Sequence, residues 1–62
     1  MTHKHFAAIA AIIAFKRSAW SGDAEAVSAI DDTAEEFATY LAGINSAFDR
    51  ARFLRACRGD PQ

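Results

Sequence analysis

The sequence predicts an all-α fold, a single three-helix domain over residues 1–62, on three observations. The composition favours helix, with fifteen alanines against one valine and one proline, because alanine is the best helix former and proline the worst. The one proline, Pro61, lies beyond every segment with helical periodicity. Segments with glycine and capping residues at 21–23 and 43–49 separate three stretches that each carry apolar side chains at helical spacing.

The chain is small for an independently stable domain. A protein of this length buries only about 60% of the surface that its unfolded chain exposes, and it usually needs a disulfide, a metal or a second subunit. Cys57 is the single cysteine, which excludes an intrachain disulfide. One cysteine and two histidines near the opposite terminus match no zinc-ligand spacing. We therefore expect no metal and no cofactor, and we expect idealised helix packing, oligomerisation or both.

The first helix should begin after an N-cap at Thr2, whose hydroxyl can accept from the amide three residues on, and it should end near positions 18–20. Gly22 follows in the break and suits the left-handed conformation that often terminates a helix. Two basic side chains, Lys16 and Arg17, lie in the last turn, where positive charge interacts favourably with the helix dipole.

This helix is apolar on two faces, because residues 6–15 contain no charge and no hydroxyl. The first face comprises Phe6, Ile9, Ile13 and, if the helix continues, Trp20. The second comprises Ala8, Ile12, Phe15 and Ala19. Three short helices could wrap around both faces within one chain. We favour a protein interface, since the other helices each offer one narrow stripe, and we assign it to Ala8, Ile12, Phe15, Ala19 and Trp20. A second copy is the simplest partner, which predicts a homodimer, and a different protein is the other candidate.

The apolar segment 6–15 could also be taken for a membrane or export signal. Its ten residues fall well short of the ~20 that span a bilayer. Lys4 precedes it, as in a signal peptide, but Lys16 and Arg17 follow where a cleavage region has small neutral residues. We therefore expect no membrane partner and a cytoplasmic location.

The second helix should begin after an N-cap at Asp23 and end near Gly43. Its apolar side chains alternate spacings of three and four, which is an a/d seam: Val27, Ile30, Ala34, Phe37, Leu41 and Ile44, widened by Ala38. The solvent side carries Glu25, Ser28, Asp31, Asp32, Glu35, Glu36 and Thr39. Carboxylates four residues apart repel one another mildly, so we expect basic side chains near this helix.

A tight connection through Asn45 and Ser46 should lead to a third, short helix. Asp49 is a strong N-cap, and Phe48 can pack on Phe53 as a hydrophobic staple. Gly59 should end the helix. The buried stripe is predicted to contain Phe53, Leu54 and Cys57.

The arginines of the third helix are the best lead to a ligand. Arginines clustered on a C-terminal helix could bind nucleic-acid phosphates. The net charge of −1 and the lack of Asn, Gln, Ser or Thr on this helix argue against base recognition. The arginines can instead pair with the acidic second helix, within the chain or across a dimer. The residues concerned are Arg50, Arg52, Arg55 and Arg58.

No group of residues in the sequence indicates catalysis. His3 and His5 diverge by about 200° on a helix and cannot easily share a metal ion. The carboxylates of the second helix have no histidine or apolar pocket near them in sequence. Cys57 lies near a helix C-terminus on the apolar side, unlike the electropositive, partly exposed setting of reactive cysteines. We therefore expect no catalytic residues and no enzymatic activity.

Both ends of the chain carry a recognisable motif. Residues 4–10, KHFAAIA, fit the pattern K-x-F-x-x-I-A, and residues 45–57, NSAFDRARFLRAC, fit N-P-x-F-D-R-x-R-F-x-x-A-C except at position 46. These two motifs resemble the opening and the close of a family of small proteins of bacteriophages, prophages and related mobile elements. The two matched segments together cover 20 of the 62 residues, about a third of the chain, and the match departs at Ser46, where the family has proline. The resemblance implies a phage-type origin and a host-cytoplasm setting, and it implies no particular chemistry. We therefore expect a non-catalytic interaction protein of phage type, with a small nucleic-acid-binding regulator as the alternative.

Overall fold

The computed structural model describes residues 3–59, and three α-helices account for most of this range. Helix α1 spans His3–Ala19, α2 spans Ala24–Ile44 and α3 spans Arg50–Cys57. No strand occurs within residues 3–59. The expected all-α, three-helix architecture is confirmed. The predicted N-cap at Thr2 lies outside the described residues.

The turn between α1 and α2 differs from the prediction. Gly59 is the only described glycine with a positive φ, at 85°, so the expected left-handed conformation of Gly22 is wrong. Backbone hydrogen bonds from the amide of Ser21 to the carbonyl of Ser18 (3.2 Å) and from the amide of Asp23 to the carbonyl of Trp20 (2.9 Å) close the turn instead. These bonds link residues three apart, so the right-handed winding of the chain continues past the helix end.

Both predicted aspartate N-caps are confirmed. The Asp23 carboxylate accepts hydrogen bonds from the backbone amides of Glu25 and Ala26, each at 3.1 Å. The Asp49 carboxylate accepts one from the backbone amide of Arg52 at 3.0 Å. Each cap satisfies amides that have no partner within their own helix. The two connections between helices are therefore fixed by local chemistry.

The core is built from small and large apolar side chains in alternation. Its buried members are Phe6, Ala10, Ala34, Ala38, Leu41, Phe53 and Cys57. Ala10 and Ala38 are 1% and 0% exposed, and such small side chains allow helices to approach closely. Leu41 is 0% exposed and is the largest aliphatic side chain among the buried residues. A chain rich in alanine thus obtains a closely packed centre.

One predicted seam position of α2 is not buried. Ile44 is 59% exposed, so its assignment to the buried seam is wrong. Ile30, Phe37 and Ile44 lie seven residues apart, and a straight α-helix rotates by about 20° per heptad relative to a strict seven-residue repeat. Ile44 is therefore turned roughly 40° further from the core than Ile30.

Four phenylalanines connect all three helices at one end of the molecule. The Phe6 ring of α1 meets Phe48 edge to face, with centroids 4.9 Å apart. Phe48 lies 5.3 Å from Phe53 of α3, which confirms the predicted staple. Phe53 lies 6.4 Å from Phe37 of α2. These contacts place α3 against both longer helices and leave the opposite side of the α1 and α2 pair without a third helix.

Candidate interaction surface

The second apolar face of α1 is exposed. Ile12 and Phe15 are 68% and 74% exposed, and Ala8 and Ala19 on the same side are also exposed. By contrast, Phe6 on the first face is buried, with Ile9 and Ile13 packed against the core. The chain's own helices thus cover one face and leave the other in water. We call the exposed set, Ala8, Ile12, Phe15 and Ala19, the α1 apolar face.

Trp20 belongs to neither face of the helix. Helix α1 ends at Ala19, and Trp20 lies in the following turn with its backbone amide 3.2 Å from the carbonyl of Lys16. Its side chain is half exposed. The sequence placed Trp20 on the first face only if the helix continued, and that condition is not met because α1 ends at Ala19. Trp20 directly follows Ala19 in the chain, and its exposed ring is available to a partner.

A shallow groove of about 220 Å³ separates α1 from α2 on the side away from α3. Only Lys16 and Thr33 contribute polar groups to its lining, which is otherwise apolar. The lining residues are Ile12, Ile13, Lys16, Ile30 and Thr33. Ile12 belongs both to this groove and to the α1 apolar face. The exposed apolar surface of α1 therefore continues into the groove and onto α2.

Helix α2 adds exposed apolar side chains beside the groove, and the sequence analysis missed them. Tyr40 and Ile44 are 64% and 59% exposed. They lie seven and eleven residues after Thr33, spacings that return to the same side of a helix. We call Thr33, Tyr40 and Ile44 the α2 apolar flank. The spacings of seven residues from Thr33 to Tyr40 and of four from Tyr40 to Ile44 indicate this flank in the sequence. The flank was not predicted because Ile44 was assigned to the core.

Ion pairs connect α2 to basic side chains of α1 and α3. Arg17 of α1 donates from Nε to Oδ1 of Asp31 at 2.8 Å and from Nη2 to Oδ2 at 3.3 Å. The hydrogen bond from Arg17 lowers the pKa of Asp31, against the opposing effect of partial burial. Arg50 of α3 donates from Nη2 to Oε1 of Glu35 at 3.0 Å. The basic neighbours expected for the acidic helix are thus present within the chain.

The four arginines proposed for nucleic-acid contact do not act as one free cluster. Arg50 is engaged with Glu35. Arg52 and Arg55 on α3 and Arg58 at its C-cap are exposed.

Cys57 and the histidines do not form a site. Cys57 is 2% exposed, and burial raises the pKa of its thiol to about 11. Within residues 3–59 no group of three or more His, Cys, Asp or Glu side chains is placed to hold a metal ion. A hollow of about 400 Å³ at the start of α1 is lined in part by His3, Phe48 and Asp49, and the Asp49 carboxylate there already caps α3.

The described part of the chain contains no helix that is long and apolar enough to cross a membrane. Comparison with protein-family models, curated proteins and solved structures found no match.

Proposed function

We propose that this protein is a non-catalytic interaction protein that self-associates through the α1 apolar face as a homodimer. The observation that supports this function is the exposure of Ile12 and Phe15, at 68% and 74%, in the middle of a helix whose other face is packed. Burying a side chain of this kind stabilises by about 1.5–3 kcal/mol relative to leaving it exposed. A partner on this face would therefore supply stability that a chain of this size needs.

A second copy is the simplest partner because two-fold dimers are the commonest assembly of soluble proteins. The α1 apolar face has Ile12 and Phe15 at its centre and alanines at positions 8 and 19, so a helix of the partner can pack closely against it. A host protein is the other partner that such a surface could accept. In that case the face would be covered only in the complex.

Several of the side chains that could serve catalysis have structural roles in this fold. The carboxylates of Asp31 and Glu35 are held by arginines, the Asp49 carboxylate caps a helix, and the Cys57 thiol is buried. This supports a role in binding rather than in chemistry. The sequence resemblance supports a phage-type accessory protein acting in the cytoplasm of a host cell.

Light scattering on the purified chain tests this proposal. We expect a species of about twice 6.7 kDa for the wild type. Phe15→Glu and Ile12→Glu should each weaken association at least tenfold, because a charge would be placed in the apolar contact. Ala51→Glu is the matched control, since it adds the same charge at an exposed position in the first turn of α3, where an acidic side chain is favourable.

All variants should keep the helical circular dichroism of the wild type. A wild-type chain that remains monomeric up to high concentration would contradict self-association. A variant series in which Ala51→Glu weakens the dimer as much as Phe15→Glu would show that general charge, rather than the α1 apolar face, controls assembly.

Nucleic-acid binding through α3 is the alternative. It rests on the exposed Arg55 and Arg58, and the pairing of Arg50 with Glu35 weakens it. Binding to DNA or RNA at low salt that falls steeply across a salt series would support this alternative over the interaction protein.

A further inference from the structure

We propose that α2 of a second copy, and not its α1, covers the α1 apolar face. Two α1–α2 pairs would then form a four-helix dimer with each α3 on the outside. This inference rests on the proposed self-association and specifies which surfaces meet. Three features of the structure carry it: the extent of the exposed apolar surface, the distribution of charge, and the antiparallel arrangement of α1 and α2.

The extent of the surface favours an interface that is two helices wide. A 17-residue helix such as α1 is about 25 Å long and presents a strip about 10 Å wide, which gives roughly 250 Å² of projected area. Stable interfaces bury about 600–1,000 Å² per partner. The α2 apolar flank, across the groove from Ile12, roughly doubles the apolar surface, to about 500 Å² of projected area. An interface two helices wide therefore comes closer to the range of stable interfaces than one formed by α1 alone.

The charges of the two helices favour α1 against the partner's α2. Helix α1 contains no acidic residue, and α2 contains no basic residue. The exposed charges nearest the apolar surface are Lys4 and Lys16 on α1 and Asp32 and Glu36 on α2. Packing α1 on the partner's α1 would bring lysines toward lysines, whereas packing it on the partner's α2 brings opposite signs together. Complementary potentials suppress the wrong arrangement of an interface.

The intrachain ion pairs would survive such a dimer. Asp31 and Glu35 lie nine and five residues before Tyr40, which places them about 180° and 140° around α2 from it. Their partners, Arg17 and Arg50, therefore bind α2 on the side away from the α2 apolar flank. The dimer surface and the ion-paired surface are separate, so both can form together.

The register follows from the groove. Ile12 and Ile13 lie level with Ile30 and Thr33, and α1 and α2 run antiparallel because a short turn joins them. Ala8 lies one turn before Ile12 on α1, and Glu36 lies about one turn after Thr33 on α2. Because the two helices are antiparallel, Ala8 and Glu36 are level with each other. A two-fold axis parallel to the helices preserves these levels between copies. Ala8 of one copy should then lie near Glu36 of the other.

Cysteine cross-linking tests the arrangement. Ala8→Cys and Glu36→Cys chains are prepared separately, mixed, and treated with a short bis-maleimide. We expect cross-linked dimer in the mixture and little or none from either variant alone. The wild-type chain is the control, because its Cys57 is buried and should not react. Cross-linking of Ala8→Cys with itself would overturn the proposal in favour of α1 packed on the partner's α1.

A substitution on α2 provides an independent test by light scattering. Tyr40→Glu should weaken the dimer at least tenfold, as Phe15→Glu does. Ser28→Glu is the control, since Ser28 is exposed on the same helix but away from the flank. A dimer that Phe15→Glu dissociates and Tyr40→Glu leaves intact would overturn this inference while keeping the proposed function. A monomeric wild type would overturn both.

Discussion

Cys57 shows how burial decides the chemistry of a single residue in this protein. Its thiol is 2% exposed, and burial raises its pKa from 9.0 to about 11, with nearby Arg58 opposing the shift. In the unfolded chain the thiol loses its proton at a lower pH than in the folded chain. Between about pH 9 and 11 the unfolded state therefore binds fewer protons, and stability falls as the pH rises through this window.

We expect Cys57 to react slowly with a thiol reagent at pH 8 in the native protein and rapidly in denaturant, because the thiolate forms only when the core opens. Cys57→Ala should remove the loss of stability between pH 9 and 11 that the thiol causes. Urea unfolding at several pH values measures this slope. Labelling of the native chain as fast as that of the unfolded chain would contradict the assignment of Cys57 to the core.

Among the helices, α3 depends most on its neighbours. It has eight residues, and isolated helices shorter than about 12–15 residues are marginal in water. Its stability must come from the Asp49 cap, the packing of Phe48 on Phe53, and burial of Phe53 and Cys57. Position 46 carries serine in this chain, and the entry to α3 is fixed nonetheless, since the Asn45 side-chain oxygen accepts from the amide of Ala47 at 3.0 Å.

Asp49→Ala should lower the free energy of unfolding by about 1 kcal/mol, because the amide of Arg52 loses its acceptor. Asp49→Asn keeps a capping oxygen and should lose much less. Urea unfolding at one fixed protein concentration measures both, so that any effect of association is constant. Equal losses for the two variants would indicate that the charge at Asp49, and not the cap, provides the stability.

The helices of residues 3–59, with 17, 21 and 8 residues, leave one of the two apolar faces of α1 uncovered. Helix α3 is too short to extend around the pair, and the phenylalanine contacts hold it on one side. The uncovered side carries Ile12, Phe15 and Tyr40. The exposed surface is thus a consequence of helix lengths and of where α3 is attached.

If the chain self-associates, its thermal midpoint should rise by a few degrees with each tenfold increase in protein concentration, because association stabilises the folded state by mass action. Phe15→Glu should unfold at a lower temperature that does not change with concentration. Circular dichroism melts over a hundredfold concentration range measure both effects. A wild-type midpoint independent of concentration would exclude a dimer that forms in this range.

The sequence alone determined the helices, both aspartate caps, the Phe48–Phe53 contact and the burial of Cys57. These features depend on interactions between residues at most a few positions apart or on the periodicity of one helix, so local chemistry is sufficient to predict them. The sequence also predicted that α1 carries two apolar faces. The exposure of Ile12 and Phe15 shows that the chain covers only one.

The pairing of the acidic side chains and the extent of the apolar surface depend on how the helices pack together, and the sequence pattern did not reveal them. The contacts of Arg17 with Asp31 and of Arg50 with Glu35 join residues 14 and 15 positions apart, and many such pairings were equally compatible with the charge pattern. The α2 apolar flank was not predicted because it, too, depends on how the helices pack. Whether Ile44 belongs to the core depends on the angle at which α2 meets its neighbours, and that angle is set by packing across the whole domain.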